Sequence, residues 1–210
     1  NTMYQALENM GFKGGNVLEP SCGIGNFIGS MPTNLKANSN VWGVELDSIS
    51  ARIAQKLYPN QNIQNTGFQN TKINNFFDVA IGNVPFGRMT INSLQDKDLG
   101  RFKFAIHNYF FAKALKEVRP NGVIAFVTST STLDGSDQKA RDYLATNADF
   151  LGAIRLPSSA FKANAGTDVV SDIIFLKKRE SPRIDLNESE LVSRSKYEES
   201  NVLINDYFKS

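Results

Sequence analysis

Cysteine, histidine and tryptophan each occur once in the 210 residues. A lone cysteine excludes a disulfide framework, and one cysteine with one histidine cannot build a structural zinc site. Carboxylate-only metal sites stay open. No apolar run approaches the length needed to cross a bilayer; the longest are of the kind Val123-Ile124-Ala125-Phe126-Val127. No cationic, apolar leader opens the chain, so the sequence predicts neither a membrane span nor secretion, and the cytoplasm is the expected compartment. Neither sign of charge is in marked excess: 23 Lys and Arg against 21 Asp and Glu give a net charge of +2. The distribution is uneven, with 19 basic against 15 acidic residues in 1–180 (net +4) and 4 against 6 in 181–210 (net −2). A mildly basic body is compatible with a polyanionic partner. With 41% hydrophobic and 21% charged residues the composition is that of a globular chain, and its length suits one domain better than two. It begins at Asn1 without an initiator Met and stops inside the apolar pattern Val202-Leu203-Ile204-Asn205-Asp206-Tyr207-Phe208, so we expect it to be a piece of something larger.

Short β-rich runs alternate with helical periodicity, the pattern of a mostly parallel sheet covered by helices. Strands are expected at 16–19, 41–45, 62–66, 77–81, 122–128, 150–156 and 169–177, and helices at 2–10, 24–30, 48–57, 104–118 and 137–146. Ser48 and Asp137 are the expected N-caps, and Arg119-Pro120-Asn121-Gly122 reads as a helix stop. Because 157–167 carries no helical pattern, the last two strands should pair antiparallel. The polar stretch 87–103 reads as a long mobile loop, and the Ser-, Glu- and Arg-rich stretch 181–200 as a solvated linker. The expected organisation is a domain over 1–180, followed by a charged linker and the start of another segment over 181–210.

Two constellations carry chemistry. The first is Val17-Leu18-Glu19-Pro20-Ser21-Cys22-Gly23-Ile24-Gly25-Asn26-Phe27: an apolar strand ends in an acid, and a Gly-x-Gly turn opens a helix. Glycines there permit a tight turn and close approach of a ligand at the carboxyl end of the first strand, where open α/β sheets bind ligands. Twenty residues beyond Gly25, Glu45 ends the second strand and can accept from both hydroxyls of a ribose. A dinucleotide site shows an acid at the same spacing. Here, however, position 28 is Ile where a third glycine would stand, and Glu19 would repel a pyrophosphate while welcoming a sulfonium and an amino group. These residues favour S-adenosylmethionine over NAD. An ordinary strand-to-helix turn with a surface acid is the plain alternative.

The second constellation is Asn83-Val84-Pro85-Phe86, closing the strand at 77–81. The Asn83 side-chain oxygen and the Val84 carbonyl can both accept from one exocyclic amino group, and Phe86 offers a face on which a planar base stacks. Taken alone, the stretch is equally a proline turn with a buried Phe. Cys22 reads as packed and not nucleophilic, since a thiolate beside Glu19 is disfavoured. His107 reads as structural or as polar lining. Gly166, Thr167 and Asp168, with Ser171 and Asp172, fall at the final hairpin and suggest loop chemistry without catalysis.

Together Glu19-Pro20-Ser21-Cys22-Gly23-x-Gly25-x-Phe27, Glu45 and Asn83-Val84-Pro85-Phe86 resemble the cofactor and catalytic motifs of amino-group DNA methyltransferases. Their order resembles the gamma-type N6-adenine enzymes. Stretches 80–87, 107–113 and 151–180 further resemble the methylase part of large helicase–methylase fusion proteins of plasmids, phages and conjugative elements. The resemblance implies a Rossmann-like seven-stranded sheet of order 3-2-1-4-5-7-6, with strand 7 antiparallel and helices on both faces. It implies S-adenosyl-L-methionine as methyl donor, held by Glu19, Pro20, Ser21, Cys22, Gly23, Gly25, Phe27, Glu45, Leu46 and Phe68. It implies DNA as substrate, with Asn83, Val84, Pro85 and Phe86 acting on a flipped adenine, and fusion to helicase and target-recognition regions. The sequence departs from the family in two places. Val84 stands where a proline is usual, and Gly67-Phe68 stands where an Asp-Phe pair often contacts the cofactor adenine, leaving Gln69 or a backbone carbonyl to replace the acid. Protein-glutamine methylation, RNA guanine-N2 methylation and a catalytically silent cofactor-binding module of a larger antirestriction or helicase protein remain alternatives.

Overall fold

Val17, Val79, Ala125 and Phe175 lie on one side of a pleated surface, and their neighbours Leu18, Ala80, Ile124 and Leu176 on the other. Strands apolar on both faces need cover on both, and the computed structural model supplies it. It describes residues 2–87, 89–91, 96–161, 170–197 and 200–209. The elements follow as α1 (Thr2–Asn9), β1 (Gly15–Glu19), α2 (Asn26–Ser30), α3 (Thr33–Ala37), β2 (Ser39–Glu45), α4 (Ser48–Leu57), β3 (Asn62–Asn65), β4 (Phe77–Asn83), α5 (Lys97–Gly100), α6 (Ile106–Glu117), β5 (Val118–Ser129), α7 (Ser131–Asp134), α8 (Gln138–Asn147), β6 (Ala148–Leu156), β7 (Ser171–Lys178), β8 (Arg194–Lys196) and β9 (Leu203–Asn205). The large sheet has the order β3-β2-β1-β4-β5-β7-β6, as the resemblance implied. β7 runs antiparallel to both β5 and β6, and the remaining neighbours are parallel. Leu7, Ile28, Leu35 and Ala54, from α1 to α4, pack on the Val17 face; Phe111, Leu115 and Leu144, from α6 and α8, pack on the Leu18 face.

Several expectations are corrected. Asp47, not Ser48, caps α4: its side chain accepts from the Ser50 amide at 2.8 Å, and these amide bonds hold its carboxyl below the usual range. Asp137 does cap α8, accepting from Lys139 at 3.1 Å. The expected stop at Arg119-Pro120-Asn121-Gly122 lies inside β5, where the register shifts from Phe77↔Val118 to Val79↔Val123, so these residues form a bulge. Within 87–103 the described residues are anchored: Met89 accepts from the Ile106 amide, Thr90 bridges Ala105, and Leu99 of α5 is buried.

Residues 181–197 and 200–209 also differ from a solvated linker. Leu191 is fully buried in the Leu18-face core, and β8 and β9 form a hairpin. Arg194 donates to the carbonyls of Asp134 and Gly135 at 2.8 and 2.7 Å, the Asn205 amide donates to Asp134 at 2.8 Å, and the Arg155 guanidinium lies 4.0 Å from the Phe208 ring centroid. The charged residues that suggested a linker lie largely outward, while a few apolar and polar anchors hold the segment against the domain.

Glu117 of α6 is fully buried, receives the Thr71 hydroxyl and lies 3.4 Å from the Lys113 ammonium. Burial pushes its carboxyl up to about 7, with Thr71 and Lys113 opposing the rise. The folded state therefore holds a proton that the unfolded chain releases at the ordinary value of 4.5, and this contribution to stability is lost as pH rises from there through about 7. Chemical denaturation between pH 5 and 8 should show stability falling with pH, with a shallower slope in Glu117→Gln. An unchanged slope would mean that Glu117 is ionised in the fold.

Candidate active site

Parallel pairing brings the carboxyl ends of β1, β2 and β4 to one edge: Glu19 is level with Gly43, and Glu45 and Asn83 end their own strands nearby. The turn after β1 is built around Glu45. One carboxylate oxygen accepts from the Gly23 amide at 2.8 Å and the other from the Asp47 amide at 2.7 Å, which fixes the half-buried group while leaving each oxygen further acceptor capacity. Asn65, which the sequence reading missed, donates its side-chain amide to the carbonyls of Glu45 at 2.9 Å and Leu46 at 3.1 Å. Leu46 is 74% exposed, an unusual placement for a leucine beside a locked carboxylate.

Gly23 (φ +54°) and Gly25 (φ +89°) both occupy left-handed backbone. A Cβ on Gly25 would lie 2.4 Å from the Tyr58 ring, so that turn admits only glycine, whereas a Cβ on Gly23 would meet nothing within 4 Å. The surface beside Gly23 is open. Pro20 is buried, and Phe27 is half-buried with its carbonyl accepting from the Tyr4 hydroxyl at 3.1 Å.

Glu19 is 2% exposed, and its Oε2 has no hydrogen-bond partner. Burial holds its carboxyl well above the usual range; the Phe27 and Ile28 amides pull it down and the Glu45 charge pushes it further up. A buried, unpaired carboxylate oxygen is suited to a cationic group brought by a ligand. Cys22 is 4% exposed, and burial, then the charges of Glu19 and Glu45, push its thiol up to about 12. It is packing and not a nucleophile, as expected.

Ser21 joins the two constellations, donating its hydroxyl to the Asn83 carbonyl at 2.9 Å. Asn83 is exposed at the end of β4, and Phe86 is 39% exposed. Val84 is buried with its amide bonded to the Val127 carbonyl at 3.1 Å, and Pro85 is half-buried. An amide side chain and an aromatic face therefore stand free on a backbone anchored to both neighbouring strands.

Phe68 is the exception among the expected site residues. It is 2% exposed, its ring centroid is 5.0 Å from that of Phe110, and the Lys113 ammonium is 5.8 Å from it, so it belongs to the core and offers no stacking surface in this arrangement. Gly166, Thr167 and Asp168 lie outside the described residues. Asp172 is fully buried, its carboxylate engaged by Arg155 at 2.8 and 2.9 Å, which suits it to structure and not to catalysis. Among the described residues no cluster of His, Cys, Asp and Glu could hold a metal ion, and no helix is long and apolar enough to cross a membrane.

This sheet, with its acid-lined glycine turn after β1, defines the class I S-adenosylmethionine-dependent methyltransferase fold; a Listeria monocytogenes protein assigned to that class superimposes with TM-score 0.69 at 20% identity, over 85% of this chain and 58% of that one. Residues 18–161 match the Eco57I restriction-modification methylase family, to which the chain belongs. It is 33% identical over 205 residues to the defense against restriction protein B of Escherichia phage P1, covering 96% of this chain and 9% of that protein. It is 28% identical over 176 residues to the type II methyltransferase M.CvrRI of Paramecium bursaria Chlorella virus XZ-6E, covering 82% and 45% respectively. The chain thus spans less than half the length of either relative.

Proposed function

We propose that this chain is the methyltransferase domain of a DNA-modifying protein and transfers a methyl group to N6 of a flipped adenine. The reading is carried by the placement, at one sheet edge, of the orphaned Glu19 carboxylate oxygen, the locked Glu45 carboxylate and the free Asn83 amide, with Ser21 joining the two halves. The type II methyltransferase among its relatives supports the same chemistry. The donor set fits S-adenosylmethionine: Glu45 would take the ribose diol, Glu19 Oε2 the methionine amino group, the backbone from Pro20 through Gly23 the body of the cofactor with Gly25 shaping the turn, and Leu46 one face of its adenine. When bound, the cofactor supplies an electrophilic methyl group on a sulfonium that leaves as a neutral thioether.

The chain's own residues supply position and polarity. Adenine N6 is a poor nucleophile because its lone pair is delocalised into the ring. Asn83 Oδ1 and the Val84 carbonyl accept its two hydrogens, drawing them from the amide-like plane and localising the lone pair. Phe86 stacks on the base and offsets part of the few kcal/mol that extrusion from the duplex costs. Catalysis on this reading is positioning plus electrostatics, with no general base of tuned pKa.

A net charge of +2 gives little nonspecific hold on DNA, so regions that read the target sequence, and a helicase portion, are proposed to lie elsewhere in the protein. These 210 residues alone should bind S-adenosylmethionine weakly and methylate a short duplex little, while a form extended at both ends should do both better. Tritiated methyl transfer to DNA, RNA and protein, compared for the two forms at one salt concentration, tests this. Label in protein glutamine or RNA guanine would overturn the substrate assignment, and full sequence-specific activity from the short form would overturn the division of labour.

A further inference from the structure

His107, in the first turn of α6, is 4% exposed, and neither ring nitrogen has a hydrogen-bond partner. A neutral imidazole carries one donor and one acceptor, and leaving both unmet in the interior is costly. Such orphans in native folds call for an explanation, and a group waiting for a partner in another state is one. Asn108, the next residue, is 3% exposed and its Oδ1 is unpaired as well.

The surroundings of His107 identify the partner. The segment from Asn83 to Met89 is held at both ends: Ser21 binds the Asn83 carbonyl at 2.9 Å, and the Ile106 amide binds the Met89 carbonyl at 2.9 Å. The Thr90–Ala105 bridge secures the far end further. Between these pins lies Gly87, directly after the half-exposed Phe86, with its backbone close enough to His107 to favour the protonated ring although no hydrogen bond is formed. Burial outweighs that influence, together with that of Asp137 at the start of α8, and keeps the imidazole below its ordinary value and therefore neutral. A segment anchored at its ends and unanchored in the middle needs only a small shift at Gly87 to meet the imidazole N–H.

We propose that His107 is a positioning residue for the target base: when a base enters, its imidazole donates to the Gly87 carbonyl and fixes Phe86 in its stacking orientation. This rests on the reading of Phe86 as the face that receives the base, and the role is exercised on the segment, not on the reacting atoms.

The test compares His107→Phe, which fills the space with no hydrogen bond, with His107→Gln, which restores a donor, in the form of the protein that methylates DNA. Because the phenylalanine removes two unmet polar atoms, its melting temperature should equal or exceed that of the parent. Its S-adenosylmethionine Kd should change less than about twofold, while kcat/KM for DNA falls tenfold or more. Gln should recover to within about threefold of the parent. A phenylalanine variant with parental kcat/KM, a glutamine variant as impaired as phenylalanine, or a parallel loss of cofactor affinity would each overturn the proposal. His107 is also the only histidine, so its imidazole 15N–1H signal is unambiguous. A slowly exchanging ring N–H should emerge when adenine-containing DNA is added to the protein saturated with S-adenosylhomocysteine; one already present without DNA would contradict the switch. If the parent protein methylates no adenine, the substrate reading itself has failed; if it does and phenylalanine is silent, only the role of His107 has.

Discussion

Asn83→Ala is expected to leave S-adenosylmethionine affinity nearly unchanged and to lower methyl transfer by about a hundredfold or more, the scale of removing one key polar group from a preorganised site. Separating the two effects is reasonable on structural grounds. The Asn83 side chain is exposed, and the Ser21 bond at this position goes to the backbone carbonyl, which alanine keeps. The next residue remains tied to β5 through the Val84 amide. Loss of the side chain therefore removes an acceptor without loosening the strand end. Calorimetric titration for binding and single-turnover transfer for chemistry provide the comparison; transfer at the parental rate would remove Asn83 from the reaction.

Glu45→Ala should act on the other side of the division, weakening S-adenosylmethionine binding by about 1.5–3 kcal/mol, the range for hydrogen bonds to a charged group. That corresponds to roughly a ten- to hundredfold rise in Kd. Glu45 also accepts from the Gly23 and Asp47 amides, so alanine leaves two backbone donors without this partner and loosens the turn. Melting temperature measured alongside the titration distinguishes a lost ligand contact from a collapsed turn. Unchanged affinity in a folded variant would exclude Glu45 from the cofactor site.

Much of this edge was legible in the sequence because it is written in residue types that have little other reason to be there. An acid closing an apolar strand before Gly-x-Gly, a second acid closing the next strand, and an exposed amide before Pro-Phe each break the pattern of the element carrying them. The seven strands were legible for the same reason, as apolar runs punctuated by turns. Phe68 was not: a phenylalanine after a strand serves a core and a ligand equally well by composition, and only its packing on Phe110 assigns it. Helices of four and five residues, such as α7 and α3, are too short to show a 3.6-residue period. The segment after residue 180 was misread because its charges outnumber its anchors, although Leu191 and Asn205 are fully buried. His107 sat in an aromatic-rich helix that looked wholly structural; its unmet ring nitrogens exist only in three dimensions.

The most direct measurement is nucleoside analysis by mass spectrometry of DNA treated with the methylating form of the protein and S-adenosylmethionine, in parallel with its Asn83→Ala variant. The expected result is N6-methyladenine from the parent, reduced at least about a hundredfold in the variant, with no other methylated base. Methyl groups found on cytosine, or N6-methyladenine formed equally by both proteins, would contradict the assignment of this edge to adenine N6 methylation.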